Sequence, residues 1–263
     1  MNRIDKKFRD LKKNKRKVFI SFIMAGDPDL PTTKKLIFEL EKNGTDIIEL
    51  GIPFSDPLAD GPTIQRSSER ALKKGANLDS ASNMVKDVRK ISDTPIVFLI
   101  YYNLLHYYGL ERSIKKMSSS GVDGIVVPDL PIEESYELRK ISKKYNFSLI
   151  HLAAPTSSKK RLKMIGTAST GFVYYVSLTG TTGARKALSK EIFKNLKEAK
   201  ELIKKPICVG FGISSREQVR SISKSADGVI VGSAIIKIIE ENRGKKSLIK
   251  DVGSFVKTLS FKT

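Results

Sequence analysis

The chain has 263 residues, 40% of them hydrophobic, and 48 Lys or Arg against 28 Asp or Glu give it a formal net charge of +20. A chain of this size buries roughly 70–75% of the surface its unfolded form exposes, enough for a full core without metal or disulfide staples, which excludes intrinsic disorder. Its single cysteine, Cys208, excludes an internal disulfide and, with only His106 and His151 as possible partners, a Cys/His zinc site, so a reducing cytoplasmic setting is expected.

In chain order, residues 2–14 place Ile4, Phe8 and Leu11 on one face and predict an amphipathic N-terminal helix. The dense basic block from Lys12 to Lys17 then runs into an apolar stretch from Val18 to Ala25. Secretory leaders share that layout. Here Asp5 and Asp10 interrupt the basic part, and Gly26-Asp27-Pro28 follows in place of a small-x-small cleavage pattern, so residues 18–23 read as a strand. Seven more continuous apolar runs follow, at residues 46–50, 96–101, 124–127, 148–152, 171–176, 207–210 and 228–231. Continuous patterning suits parallel strands covered on both faces. None of the runs approaches the ~20 apolar residues of a membrane span.

Helix signals lie between the runs. Pro31-Thr32-Thr33, Pro62-Thr63, Asp79-Ser80 and Pro131-Ile132-Glu133-Glu134 open helices, and Ser214-Ser215-Arg216-Glu217 has the Ser-x-x-Glu form of a capping box. Asn43-Gly44, Lys74-Gly75 and Ser120-Gly121 sit where a glycine ends a helix. Eight strand–helix units over residues 1–263, with no linker between them, predict a single α/β domain, a (β/α)8 TIM barrel with an additional N-terminal helix. A doubly wound dinucleotide fold would need Gly-x-Gly-x-x-Gly after the first strand, where Met24-Ala25-Gly26-Asp27-Pro28 stands. The lysines are spread over nearly every helical segment without a nucleic-acid-binding motif. The excess charge therefore reads as a solvated surface that attracts anions.

Barrel active sites lie in the loops after the strands. Glu49 interrupts an apolar strand, where desolvation raises a carboxyl pKa and suits it to proton transfer near neutrality; a structural carboxylate paired with a lysine would look the same. Asp60 ends the Pro/Gly/Asp-rich loop that follows, and ordinary turn and cap chemistry is the competing reading there. Residues 177–185, rich in Gly and Thr, have the composition of a lid. Gly210-Phe211-Gly212 and Gly232-Ser233 follow the last two strands, where barrels bind phosphate through main-chain N–H groups and a helix N-terminus. His151 reads as a satisfied core histidine and His106 as part of a polar-aromatic loop; neither pairs with a nucleophile by spacing. No predicted strand ends in a lysine, which favours acid–base chemistry by carboxylates over an imine route.

The segment Glu49-Leu50-Gly51-Ile52-Pro53-Phe54-Ser55-Asp56-Pro57-Leu58-Ala59-Asp60-Gly61-Pro62-Thr63-Ile64-Gln65 resembles the tryptophan synthase alpha chain family. Supporting the resemblance are Ala25-Gly26-Asp27-Pro28, Val127-Pro128-Asp129-Leu130-Pro131, Thr182-Gly183, Val209-Gly210-Phe211-Gly212-Ile213-Ser214 and Val231-Gly232-Ser233-Ala234. The resemblance implies a lyase that cleaves indole-3-glycerol phosphate, by retro-aldol chemistry, to indole and glyceraldehyde 3-phosphate. It implies Glu49 as the acid–base residue at indole C3 and Asp60 as acceptor of the indole N–H. Phe22, Ile100, Tyr102, Val126 and Tyr174 would line the indole subsite, with Thr182 also touching substrate. Gly183, Phe211, Gly212, Gly232 and Ser233 would hold the phosphate. No metal or cofactor is implied in this chain. The implied partner is a beta chain carrying pyridoxal phosphate, which receives the indole within an alpha2-beta2 heterotetramer; neither a membrane nor a specific nucleic acid is expected. The loops at 53–60 and 177–188 would close over substrate and touch that partner. The chain departs from the family at Gly180-Thr181-Thr182-Gly183, where Gly-Val-Thr-Gly is frequent, and at Pro128, where a small residue is.

Overall fold

The computed structural model describes residues 2–176, 190–210 and 212–261. Nine parallel strands form one sheet: β1 (Val18–Met24), β2 (Ile47–Gly51), β3 (Ile96–Leu99), β4 (Gly124–Val126), β5 (Ser148–Ile150), β6 (Leu152–Ala153), β7 (Val173–Val176), β8 (Ile207–Gly210) and β9 (Gly228–Val231). Their order is β5-β4-β3-β2-β1-β9-β8-β7-β6, so the two edges of the sheet are consecutive pieces of chain separated only by His151. The predicted fifth strand is thus split. β5 pairs with β4 and β6 with β7, while the His151 carbonyl accepts the Tyr174 N–H at 3.1 Å. That bend closes the cylinder, and the other strands fall on the predicted apolar runs.

Helices cover the outside. α2 (Leu30–Lys42) follows β1, α3 (Pro62–Lys73) and α4 (Leu78–Val88) follow β2, and α5 (Tyr102–Tyr108) and α6 (Leu110–Ser119) follow β3. A 3-10 turn, Ile132–Glu134, precedes α7 (Tyr136–Lys144); then come α8 (Lys159–Ala168), α9 (Lys190–Leu202), α10 (Arg216–Ser223), α11 (Ser233–Glu241) and α12 (Leu248–Leu259). Local chemistry sets their ends. The Asp29 carboxylate accepts the Thr32 N–H at 2.7 Å to start α2. Asn43, Lys74 and Ser120 are C-caps, each followed by a glycine of positive φ, as the sequence predicts. Three starts differ from the sequence reading: Pro131-Ile132-Glu133-Glu134 opens only the 3-10 turn, and α7 starts after it from Ser135. The N-cap of α4 is Asn77, two residues before Asp79 and in a reciprocal pair with Ser80, and the box at α10 joins Ser215 to Gln218, one residue later than Ser214–Glu217, because Gln218 is the side chain that folds back over the cap.

The N-terminal helix α1 (Arg3–Lys13) decides which end of the barrel is open. Ile4, Leu11 and Phe8 pack in one cluster with Val18, Ile20, Ile47, Val97, Val126, Ile150, Phe172, Cys208 and Ile230. These are alternate strand residues, the set that faces the lumen, and the intervening set packs under the helices. Arg3 Nη1 lies 3.2 Å from the carboxylate of Asp123, which Arg89 Nη2 also holds at 2.8 Å. Because Asp123 immediately precedes β4, α1 plugs the N-terminal end of the cylinder and leaves the C-terminal end to bind ligand. No helix among the described residues is long and apolar enough to cross a membrane.

Candidate active site

β2 and β1 bring Glu49 and Phe22 side by side as register partners. Glu49 is 2% exposed, and neither of its carboxyl oxygens has a hydrogen-bond partner among the described residues. Among the described residues Glu49 has no lysine partner. Burial pushes the Glu49 carboxyl up to about 8, and the charge of Asp60 adds to the rise.

Asp60 belongs to the loop between β2 and α3. Its Oδ2 accepts a hydrogen bond from Tyr101 Oη at 3.0 Å; the same hydroxyl accepts the Ala59 N–H at 3.1 Å, and the Tyr101 ring stands 5.2 Å from that of Phe54. Burial raises Asp60 to about 6, with the Tyr101 bond opposing the rise. The two carboxyls thus lie on opposite sides of neutrality, the fold favouring the protonated form of Glu49 more strongly than that of Asp60. Paired carboxyls held apart in this way divide acid and base roles between them. Tyr174 is buried close enough for both charges to push its hydroxyl pKa up, after the larger effect of burial.

Glycines make room for the rings. A Cβ on Gly51 would sit 2.7 Å from Phe22 Cζ and one on Gly232 would sit 3.2 Å from Phe22 Cδ1, so the Phe22 ring is wedged between the end of β2 and the start of α11. Gly232 is the N-cap of α11 and offers no side chain to its first N–H groups. An uncapped helix N-terminus at the mouth of a barrel is a ready anion site. Gly212, after β8, has φ +72, which a side chain would disfavour.

Of the residues expected to act, Phe22, Glu49, Val126 and Tyr174 lie on β1, β2, β4 and β7, and Asp60, Gly212, Gly232 and Ser233 lie in the loops and helix that follow strands β2, β8 and β9. Thr182, Gly183, Phe211 and the 177–188 loop lie outside the described residues. At two of the expected positions a neighbouring residue is the one turned toward the lumen or Asp60. Ile100 is fully buried beyond β3, whereas Leu99, in register with Val126, packs on the lumen cluster, since neighbours on a strand face opposite ways. Tyr102 opens α5 with its ring 6.3 Å from His106, and its N–H donates to Asp129 Oδ1 at 2.9 Å; the tyrosine that reaches Asp60 is Tyr101. The period-two series Val97, Leu99, Tyr101 is the signal that could have found both. Leu152, register partner of Tyr174, is a further lumen residue. His151 is not a satisfied core histidine. Its Nε2 is buried without a hydrogen-bond partner among the described residues, and burial pushes its pKa down to about 4. Among the described residues no group of three His, Cys, Asp or Glu side chains is gathered as a metal site needs.

A parallel barrel whose open end carries two buried carboxyls of raised pKa and an uncapped helix N-terminus has the parts of an acid–base enzyme for an anionic substrate. The family model of the tryptophan synthase alpha chain matches residues 8–262. The tryptophan synthase alpha chain of Thermoanaerobacter sp. (strain X514) is 47% identical over 259 residues, which is 98% of each chain. Among solved structures, tryptophan synthase subunit alpha from Legionella pneumophila str. Paris aligns with a TM-score of 0.92 at 38% identity, covering 98% of this chain and 97% of that one. A chain of the tryptophan synthase complex from Pyrococcus furiosus aligns with a TM-score of 0.85 at 41% identity, covering 92% and 97%. The chain belongs to the tryptophan synthase alpha chain family.

Proposed function

We propose that Glu49 and Asp60 cleave indole-3-glycerol phosphate to indole and glyceraldehyde 3-phosphate. The observation that carries this reading is the buried carboxyl of Glu49, without a hydrogen-bond partner among the described residues and within the field of Asp60, with the Phe22 ring between Glu49's strand and the N-terminus of α11. The phosphate binds at Gly232 and Ser233, where the helix dipole adds about 0.3–2 kcal/mol of attraction. The indole ring lies among Phe22, Leu99, Val126, Leu152 and Tyr174.

Glu49, protonated at neutral pH, gives its proton to indole C3, and the ring becomes an indolenine-like cation. Asp60, ionised, accepts the hydrogen bond from the ring N–H and stabilises that positive charge. The Glu49 carboxylate then takes the proton of the hydroxyl on the carbon attached to the ring. That oxygen becomes the aldehyde carbonyl, the carbon–carbon bond breaks, and its electron pair returns to the ring. Indole leaves with the donated proton at C3, and Glu49 is again protonated. Each turnover is balanced, and no cofactor of this chain enters it.

Leu58, Tyr107 and Tyr136 are 93%, 83% and 71% exposed, on the segments that follow β2, β3 and β4. Large exposed side chains of this kind favour a docking surface. We assign that surface to a beta chain, in an alpha2-beta2 complex in the cytoplasm; the beta chain carries pyridoxal phosphate and receives the indole. All of residues 1–263 serve as one barrel domain in this reading. Incubation of the purified chain with indole-3-glycerol phosphate tests it: indole and triose phosphate in equal amounts are expected, and intact substrate overturns it.

A further inference from the structure

The loop that carries Asp60 is fixed to α3 at several points. The Gln65 side-chain amide donates to the Asp60 carbonyl at 2.9 Å, and the Ser68 hydroxyl accepts the Phe54 N–H at 2.9 Å while donating to the Phe54 carbonyl at 2.8 Å. Any slide of α3 therefore carries Asp60 with it. On the next positions of the same helix, two arginines reach outward to other elements. Arg70 grips Asp27, after β1, with Nε at 2.8 Å and Nη2 at 2.7 Å, and places Nη1 2.9 Å from Glu240 on α11. Arg66 grips the same Glu240 with Nε at 2.8 Å and Nη2 at 2.9 Å. Asp27 is buried and also receives the Ser67 hydroxyl.

We propose that the cluster Asp27–Arg70–Glu240–Arg66 is a positioning clamp that fixes the distance from Asp60 to the N-terminus of α11, so that the site fits both ends of one substrate. This rests on the function proposed above. An isolated surface ion pair contributes little. Two bidentate guanidinium–carboxylate grips sharing Arg70 and Glu240 are different, because a planar fork fixes angle as well as distance. Glu240 lies on the helix that starts at Ser233, so the clamp ties the helix holding the phosphate to the helix holding Asp60. A misplacement of about 1 Å between such groups can cost on the order of 10²-fold in rate. The four formal charges sum to zero, so the clamp adds no net charge.

Two variants, Glu240→Gln and Arg66→Gln, test it through the whole substrate and its two halves. With either variant kcat/KM for indole-3-glycerol phosphate is expected to fall about tenfold, while the dissociation constants of indole and of glycerol 3-phosphate stay within about twofold of wild type. Arg66→Lys, which keeps the charge and loses the fork, is expected to recover only part of the loss. An unchanged kcat/KM, or halves that weaken as much as the whole, overturns the clamp. If Glu240→Gln does not fold, Arg66→Gln decides by the same readouts, since Arg66 is half-exposed. A wild-type chain that leaves the substrate intact overturns instead the function on which the clamp rests.

Discussion

Tyr101 and Asp60 are joined by a 3.0 Å hydrogen bond, and the same phenol oxygen accepts the Ala59 N–H at 3.1 Å, so one hydroxyl holds both the backbone and the carboxylate of the loop. A donor to a carboxylate favours its ionised form. Tyr101→Phe keeps the ring against Phe54 and removes a charge-assisted bond worth about 1.5–3 kcal/mol. The pKa of Asp60 then rises above about 6, and the acid limb of the kcat/KM profile moves to higher pH, since Asp60 acts ionised. A pH–rate profile of the variant that coincides with wild type would remove Tyr101 from this role.

Glu49 makes stability fall as pH rises. Its carboxyl has an ordinary value of 4.5 and sits at about 8 in the fold, so between those values the native state keeps a proton that the unfolded state has released. Stability on this account is fully present below pH 4.5 and is lost progressively up to pH 8. Glu49→Gln should therefore match wild type near pH 4.5 and exceed it at pH 9, by on the order of a few kcal/mol. Urea titrations at the two pH values check this, and a variant that is less stable at pH 9 contradicts it.

His151 has the opposite sign. Its ordinary value of 6.5 drops to about 4 in the fold, so acid protonates the unfolded chain first and stability is lost as pH falls from 6.5 toward 4. His151→Leu removes the titration and the unpartnered Nε2, which costs about 1–3 kcal/mol where it is buried. The fall in stability from pH 7 to pH 5 should be smaller in the variant, by about 2 kcal/mol. Equal falls would show that the histidine finds a partner in solution.

Most of the barrel is legible in the sequence because strands buried on both faces have no polar side to hide, and each is an unbroken apolar run. Glu49 is legible for the converse reason, as a charge inside such a run. Asp60 is not: Asp60-Gly61-Pro62 reads equally as a turn before a helix, and only its tertiary bond to Tyr101 separates the readings. The doublet Tyr101-Tyr102 hides which ring faces the site, because strand alternation gives way to α5 between them. The break at His151 leaves no pattern in one residue. The cluster around Arg70 joins Asp27 to Glu240 through contacts that no local spacing encodes.

Tyr107 and Tyr136 give the docking surface a direct check. Tyr107→Asp and Tyr136→Asp place a charge on exposed positions away from Glu49 and Asp60, so unassisted cleavage should stay at the wild-type rate. Affinity for the beta chain should drop by about tenfold or more, read by titration of one chain with the other. Undiminished affinity in both variants would move the interface elsewhere.

The rate of indole release by Glu49→Gln is the most direct measurement of all. Gln keeps the shape of the side chain and can neither give nor take the proton at C3. The rate should fall by about 10²–10⁴-fold while inorganic phosphate still competes for the substrate site as it does in wild type. Turnover close to the wild-type rate would contradict the assignment of the acid–base role to Glu49.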